Sequence, residues 1–387
     1  MYKLYHNKRN RRLHRLINVG GAIHNHAIAL HRRYYRRYKK HLSLYQLKAH
    51  ITKLKQLPKY AWWKQLGAQA IQEIIIRIDK GYQRFFQNMK DRKAGTTRMK
   101  VGPPTFRKIA KAKSFTLTQT GWKLLGGNRL RIGTTTYKFA KSRDIQGVIK
   151  TVTIKRDALG ELYVYFSCLV EPQSTDRAMT GKSAGFDFGL QTFLTGSDGS
   201  EHHAPQPFKR ALRQIARANR QLSRKVKGSH NRQKAQQHLA RVHRRVAHVR
   251  RAFHWQQAQE LCKTYDIIRL ETLNLGGMKA LWGRKVSDLG FAGFGKILHH
   301  VADTTGTVVQ HIDRWFPSTK LCSHCHKVNH HITLRDRVWT CVYCGVVHRR
   351  DYNAAVNINE EGASSSGGDC VRLPLAAAVV DPRIPRL

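Results

Sequence analysis

Acidic residues are scarce in this 387-residue chain, 23 against 71 lysines and arginines, so the positions of the few present carry information. Three stand where catalytic carboxylates would. Asp187 follows a short apolar stretch in Gly185-Phe-Asp-Phe-Gly189. Glu271 closes the run Ile267-Ile-Arg-Leu-Glu271, and Asp351 opens an apparent helix in Arg350-Asp-Tyr-Asn-Ala-Ala-Val-Asn357. Carboxylates converging from strand ends hold two divalent cations about 4 Å apart, one activating water and one stabilising a leaving oxygen. Mg2+ suits such a site because it takes few carboxylates and keeps water and phosphate as its other ligands. Taken singly, any one of these acids is more often a turn cap or a salt bridge. Asp187-Phe-Gly189 also matches a kinase metal loop, but the glycine-rich loop and His-Arg-Asp catalytic loop of that reading are missing from the sequence.

The second constellation is Cys322-x2-Cys325-x15-Cys341-x2-Cys344. Each Cys-x-x-Cys forms a tight knuckle aiming two thiolates at one tetrahedral ion, and two knuckles at this spacing read as zinc rather than as a redox pair. His324, His326 and His348 lie nearby and could replace a cysteine, but they are the less favoured ligands. Four protein ligands leave no open position, so this zinc is expected to be structural. The other three cysteines, Cys168, Cys262 and Cys370, are scattered, and the set of seven does not read as a disulfide frame.

The elements that must position these groups lie in a very basic body. The formal net charge is +48, and 41% hydrophobic residues suffice for real cores. Self-repulsion of this size calls for a polyanion, and nucleic acid is the usual one. No apolar run reaches the roughly 18–20 residues of a membrane span, and no secretory signal is evident, so an intracellular protein with no membrane partner is expected. Residues 1–72 hold seventeen Lys and Arg and no acid. The pattern is helical from Arg11 to Asn88, with Ile71, Ile74, Ile75 and Ile78 marking a buried face. Tyr34, Tyr35, Tyr38, Trp62, Trp63, Phe85 and Phe86 are interleaved with the charge; they suit stacking on unpaired bases, although packing between helices is the commoner fate of any one ring. Strands follow at 114–119, 130–134 and 148–155, with a hairpin over 154–166 turning near Asp157–Gly160, and together they read as a small β-barrel. After a polar linker at 172–182 come a strand at 184–190, an antiparallel continuation through the turn at 197–200, and two helices over 206–264 broken near Lys227-Gly-Ser229. Between Lys209 and Arg251 lie fifteen Lys and Arg and no acid, which argues for a phosphate-facing surface. A strand at 266–270, a helix at 290–305 and a strand at 307–312 complete an α/β core. The tail from 363 to 387 is expected to be disordered, and no internal repeat is found.

In this order, from Gly81 to Glu360, the motifs resemble the transposon-encoded TnpB family, compact relatives of the Cas12 nucleases of IS200/IS605-type origin. Gly81-Tyr-Gln-Arg-Phe-Phe86 with Lys100-Val-Gly-Pro-Pro-Thr-Phe-Arg107 resembles the junction of that family's helical and barrel domains, and Ile149–Phe166 its barrel hairpin. Gly185-Phe-Asp-Phe-Gly-Leu190, Leu270-Glu-Thr-Leu-Asn-Leu275 and Arg350–Asn357 resemble the three RuvC motifs. Phe316–Cys325 and Cys341–Gly345 resemble a zinc ribbon lying between the second and third. The resemblance implies a multidomain α/β fold: a helical recognition domain (11–95) inserted in a small β-barrel wedge domain (1–10 and 96–175). An RNase H-like RuvC nuclease domain (176–313 and 346–362) with an inserted zinc ribbon (314–345) would follow. It implies an RNA-guided DNA endonuclease whose guide RNA pairs with target DNA while the protein reads a short adjacent motif. Asp187 would contact both Mg2+ ions, Glu271 and Asp351 would complete the site, helices 206–264 would face the heteroduplex, and one chain would serve one guide RNA.

The sequence departs from the family pattern in three places. The first barrel strand, within Met1–Asn7, is brief. His326 stands where glycine is common after the second zinc cysteine. The first 80 residues match only in general character, so residues reading the adjacent DNA motif cannot be assigned. A nuclease-inactive RNA-guided DNA-binding repressor would tend to lose a catalytic acid, yet all three are present. A conventional transposase does not explain the ribbon between the second and third acids. A non-enzymatic RNA-binding zinc protein explains the charge but not the acids. A CRISPR-associated nuclease of the same build remains open.

Overall fold

In the computed structural model, which describes residues 1–170, 177–333 and 335–364, the chain forms two units, Met1–Pro172 and Gln173–Leu387. In the first, the acid-free segment builds helix α1 (Asn10–Tyr38), helix α2 (Leu44–Leu54), a 3-10 stretch (Pro58–Leu66) and helix α3 (Ala68–Lys93). Helix α1 buries Leu13, Ile17, Gly20, Ile23, Ala27 and Ile28, a three-and-four spacing that lays one apolar stripe on the core. Helix α2 starts at a capping box in which Ser43 and Gln46 satisfy each other's backbone N–H groups. On α3, Ile71, Ile75 and Ile78 are buried, as their periodicity requires. Of the seven interleaved rings, Trp63 alone is core; Tyr35, Tyr38, Trp62 and Phe86 are exposed, and Tyr34 and Phe85 half-buried.

The strands of this unit pair as two antiparallel sheets. One has the order β1-β7-β6-β2, from β1 (Tyr2–Lys3), β2 (Ser114–Leu117), β6 (Val148–Arg156) and β7 (Leu162–Leu169). The other runs through β3 (Trp122–Leu124), β4 (Arg129–Ile132) and β5 (Thr135–Lys138), and a single bridge, Leu4 to Phe139, joins N-terminal chain to its end. Strands β1 and β2 lie at opposite edges of one sheet, so the helices are an insertion between two strands of that sheet. Strand β1 is indeed brief, two residues long.

The second unit is built on a five-stranded sheet of order β10-β9-β8-β11-β12: β8 (Ser183–Phe188), β9 (Leu194–Gly196), β10 (Glu201–His202), β11 (Ile267–Glu271) and β12 (Val308–Ile312). The first three strands form an antiparallel meander, and β11 and β12 then join β8 in parallel. The helices are α4 (Pro207–Ser223), α5 (His230–Thr264), α6 (Leu275–Leu289), α7 (Phe291–Thr305) and α8 (Arg350–Ser364). Phe186, Ile268 and Leu270 face a core shared with Ala258 and Leu261 of α5 and Phe294 and Leu298 of α7. The alternate residues, Gly185 and Arg269, face α8 instead. Helix α6, kinked at Trp282, is not revealed by the sequence pattern. A small hairpin, β13 (Val338–Thr340) and β14 (Val347–Arg349), leads straight into α8. Helix α8 extends to Ser364, two residues into the tail expected from 363; residues 365–387 lie outside those described, as do 172–176 of the expected linker. Among the described residues, no helix is long and apolar enough to cross a membrane.

Helix α8 approaches β8 without room for a side chain. A Cβ on Gly185 would stand 2.5 Å from both the Ala355 carbonyl oxygen and the Asn359 nitrogen, and one on Gly362 would stand 2.4 Å from Arg269 Cδ. Gly185→Ala is therefore expected to push α8 off the sheet and to cost about 1–3 kcal/mol, as overpacking does. Gly295→Ala on α7, where nothing lies within 4 Å, is the control and should be neutral or stabilising. Urea unfolding of the two variants checks the contrast.

Candidate active site and metal centre

Two geometric facts bring the three acids together. In the parallel pairing of β8 with β11, Leu270 is the partner of Phe186, so Glu271 comes next to Asp187, and both point to the α8 face. Helix α8 crosses Gly185 at Ala355. Asp187 lies two strand residues beyond Gly185, about 7 Å. Asp351 lies one turn before Ala355, about 6 Å along the helix toward the same end. Asp351 is thus delivered by the first turn of α8 to the strand ends carrying Asp187 and Glu271.

The electrostatics agree. Burial holds the Asp187 carboxyl well above its ordinary range, and the charges of Glu271 and then Asp351 raise it further; Arg350 and Arg337 oppose them. Burial pushes Glu271 up to about 7, against the stabilising backbone N–H of Phe188. Asp351 accepts from Arg337 Nη1 at 3.1 Å and from Arg350 Nη2 at 2.8 Å and Nε at 3.0 Å. A carboxyl whose proton affinity is raised by burial and by two neighbouring carboxylates belongs to the kind of donor set a hard divalent cation relieves. Their oxygens are not drawn to mutual ligand distance: among the described residues, the cysteines alone gather within 4.8 Å of one another. Arg350 adjoins Asp351 in the motif, but nothing in the sequence singles out Arg337, which precedes β13.

The four cysteines do converge. Cys322 and Cys344 sulfurs are 3.7 Å apart and those of Cys325 and Cys341 3.6 Å. Thiolates about 2.3 Å from a tetrahedral zinc stand about 3.8 Å from each other, so the cluster fits that ion. Burial would raise the Cys341 thiol, but N–H groups of Tyr343 and Cys344 and the Asn329 amide outweigh it and lower the group to about 6, favouring the ligating thiolate. The knuckles are alike: His326 N–H donates to the Cys322 carbonyl and Gly345 N–H to the Cys341 carbonyl, each at 2.9 Å. His326 and Gly345 both adopt the left-handed region, at φ 54° and 73°, so the histidine that replaces glycine keeps the turn. Neither His324 nor His326 joins the cluster, and His348 lies beside it, its Nε2 3.0 Å from Cys322 Sγ, packed on Trp339.

Helices α4 and α5 with the loop between them carry the fifteen cations of 209–251, and twelve of them are exposed. Two of the other three serve structure: Arg232 donates to the carbonyls of Leu222 and Lys225, and Arg250 to that of Ser287.

Comparison with known proteins follows the same division. Residues 165–281 match the family described as "Probable transposase", of the IS605 OrfB type, and residues 291–358 match the "Cas12f1-like, TNB domain". A relative from Streptomyces pristinaespiralis named "Putative RNA-guided DNA endonuclease" is 30% identical over 343 residues, 86% of this chain and 81% of that protein. The Escherichia coli K12 protein "Putative RNA-guided DNA endonuclease InsQ" is 26% identical over 272 residues, 69% of this chain and 64% of that protein. The cryo-EM structure of a Cas12f1–sgRNA–target DNA complex superposes with a TM-score of 0.55 at 13% identity, covering 90% of this chain and 82% of that one. The fold is therefore the mixed α/β, Cas12f1-like fold with a four-cysteine cluster. Within that class, the chain belongs to the transposon-encoded TnpB family.

Two outcomes are expected. Because the folded pKa of Glu271 is raised from 4.5 to about 7, its contribution to stability is full below the ordinary carboxylate range and is lost as pH rises through about 7. In Mg2+-free buffer the wild type should therefore lose stability relative to Glu271→Gln across that window, and Mg2+ should restore it more at about pH 8 than at about pH 5; paired thermal melts check this. His326→Gly should keep zinc and gain about 1 kcal/mol by relieving a left-handed non-glycine residue, measured by urea unfolding of zinc-loaded protein.

Proposed function

We propose that this chain is an RNA-guided, Mg2+-dependent DNA endonuclease with a single RuvC-type site. It would bind a guide RNA derived from the transposon end, one chain to one guide, and read a short motif beside the target. The observation that carries the reading is the convergence of Asp187, Glu271 and Asp351 on one end of a sheet of order β10-β9-β8-β11-β12. On this reading Asp187, flanked by the other two, would be the shared ligand of two cations, with Glu271 and Asp351 completing the site. Two Mg2+ ions held there would supply an activated water and stabilise the leaving oxygen of a phosphodiester. Arg337 and Arg350 hold Asp351 in place by charge-assisted bonds and lower the cost of gathering three acids. The four-cysteine site, closed by its own ligands, would hold zinc for structure. The exposed cations of α4 and α5 would track the phosphates of the guide–target heteroduplex.

On this reading the helices of 11–95 form the recognition domain and the sheets of 1–10 and 96–175 the wedge. The five-stranded sheet with α8 (176–313 and 346–362) forms the RuvC domain, and 314–345 the ribbon. The retention of all three acids, with Glu271 and Asp351 both acting on Asp187, favours an active nuclease over a nuclease-inactive DNA-binding repressor.

Purification with co-bound RNA, sequencing of that RNA, and incubation with plasmids carrying the matched target beside a randomised flank test the proposal. Wild type should cleave plasmids bearing one flanking motif in Mg2+. Asp187→Ala should retain RNA and target binding while losing cleavage by more than the about 10–100-fold typical of outer-shell changes. Wild-type protein that carries guide RNA yet cuts no plasmid would refute the nuclease reading.

A further inference from the structure

Helix α8 has two buried faces, and the nuclease reading uses one. Ala355, Asn359 and Gly362 lie against the sheet, on the side that delivers Asp351. On the other side stand Asn353 and Asn357, one turn apart and 0% and 1% exposed. Two buried primary amides on one helix face need partners, and both NH2 groups find them in the same short segment, the turn that leads into the first zinc knuckle, while Asn357 Oδ1 has none. Asn353 Nδ2 donates to the Leu321 carbonyl at 2.7 Å and, at 3.5 Å, to that of Ser318. Asn357 Nδ2 donates to the same two carbonyls, at 2.7 and 2.8 Å. Asn353 Oδ1 in turn accepts the N–H of Ser323, inside the Cys322–Cys325 knuckle, at 3.0 Å. The turn itself is tied down, with Lys320 and Leu321 N–H donating to the Pro317 carbonyl.

We propose that Asn353 and Asn357 latch the first zinc knuckle to α8, so that the state of the cysteine cluster sets the position of Asp351 and with it the affinity of the nuclease site for divalent cations. The inference rests on the nuclease reading of Asp351 and adds positioning residues to it. Asn353 is two residues from Asp351, on a helix segment gripped by sheet and knuckle together. A knuckle that holds its four-thiolate geometry keeps the Ser318 and Leu321 carbonyls and the Ser323 N–H in register with the two amides. A knuckle that relaxes releases them, and the first turn of α8 loses one of its two walls. Arg337, which donates to Asp351 from the ribbon side, would move with the ribbon as well.

The test uses the RNA-bound protein, with direct Mn2+ binding, read by electron paramagnetic resonance of the free ion, as the principal measurement. Zinc content, target-DNA binding and cleavage against Mg2+ concentration accompany it. Asn353→Ala and Asn357→Leu, the second preserving side-chain bulk, should keep target binding and weaken Mn2+ binding by about 10–100-fold, the range of outer-shell losses, with cleavage recovering at high Mg2+. Zinc stripped from the wild type should weaken Mn2+ binding by a similar factor, and zinc stripped from a variant combining Asn353→Ala with Asn357→Leu should add less than about twofold, because one interaction is removed only once. Zinc-loaded variants that bind Mn2+ within about twofold of wild type would overturn the latch, as would zinc-stripped wild type that binds it undiminished. Where a variant fails to hold zinc, the stripped wild type alone decides. Asp351→Ala separates the two readings: if it leaves Mn2+ binding and cleavage intact, the nuclease reading fails; if it abolishes both while the asparagine variants behave as wild type, only the latch fails.

Discussion

Helix α8 lies so close to β8 that Gly185 has no space for a side chain, and the placement of the site follows from that approach. A helix seated at ordinary distance, with side chains between it and the sheet, would hold its first turn several ångströms farther from the strand ends. The close seat turns a local sequence feature, an acid at the start of a helix, into the third member of a carboxylate group whose other two members come from neighbouring parallel strands. Strand register does the rest, because parallel partners at the same level share a face. The hydrophobic face of the sheet, packed on α5 and α7, supplies the stability, and the α8 face is thereby left for polar work.

The charge of the chain makes sense against this frame. A body with a formal charge of +48 could pair every acid with a cation at its surface, yet burial raises the proton affinity of Asp187 and Glu271, and the charge of Glu271 raises that of Asp187 further. Burial without full pairing is costly for a carboxylate unless a counter-charge is supplied at the moment of use. Asp351 is the exception, held by Arg337 and Arg350. Twelve of the fifteen cations of 209–251, by contrast, are exposed on α4, α5 and the loop between them, where the proposed binding of a polyanion would offset the cost of repulsion. On the proposed reading, the molecule separates a surface that would hold phosphate from a site that would attract divalent metal.

Much of this was legible in the sequence because the signals are local. The two knuckles announce themselves by spacing, and the structure brings all four sulfurs together. Asp187 and Glu271 end apolar strand patterns, Asp351 begins a helical one, and the charge coupling among the three is found where strand ends meet helix start. The break near Lys227-Gly-Ser229 falls between α4 and α5 as expected. What stayed hidden depends on partners distant in the chain. Arg337 is one arginine among many until the ribbon folds back on Asp351, 14 residues away. Asn353 and Asn357 were visible in the third motif, but their meaning needs the carbonyls of Ser318 and Leu321 more than 30 residues earlier. Helix α6 escapes because Gly276, Gly277 and Gly283 dilute its pattern and Trp282 kinks it. The exposure of Tyr35, Tyr38, Trp62 and Phe86 runs against the general tendency of rings to pack, and a helix already supplied with an isoleucine and leucine stripe leaves them outside.

The central claim, that three acids from two strands and one helix form a single divalent-cation site, is tested most directly by anomalous diffraction from Mn2+-soaked crystals of the RNA-bound protein. The account predicts two peaks about 4 Å apart, with Asp187 oxygens contacting both and Glu271 and Asp351 each contacting one. Crystals that show Mn2+ elsewhere but none between Asp187 and Glu271 would contradict it.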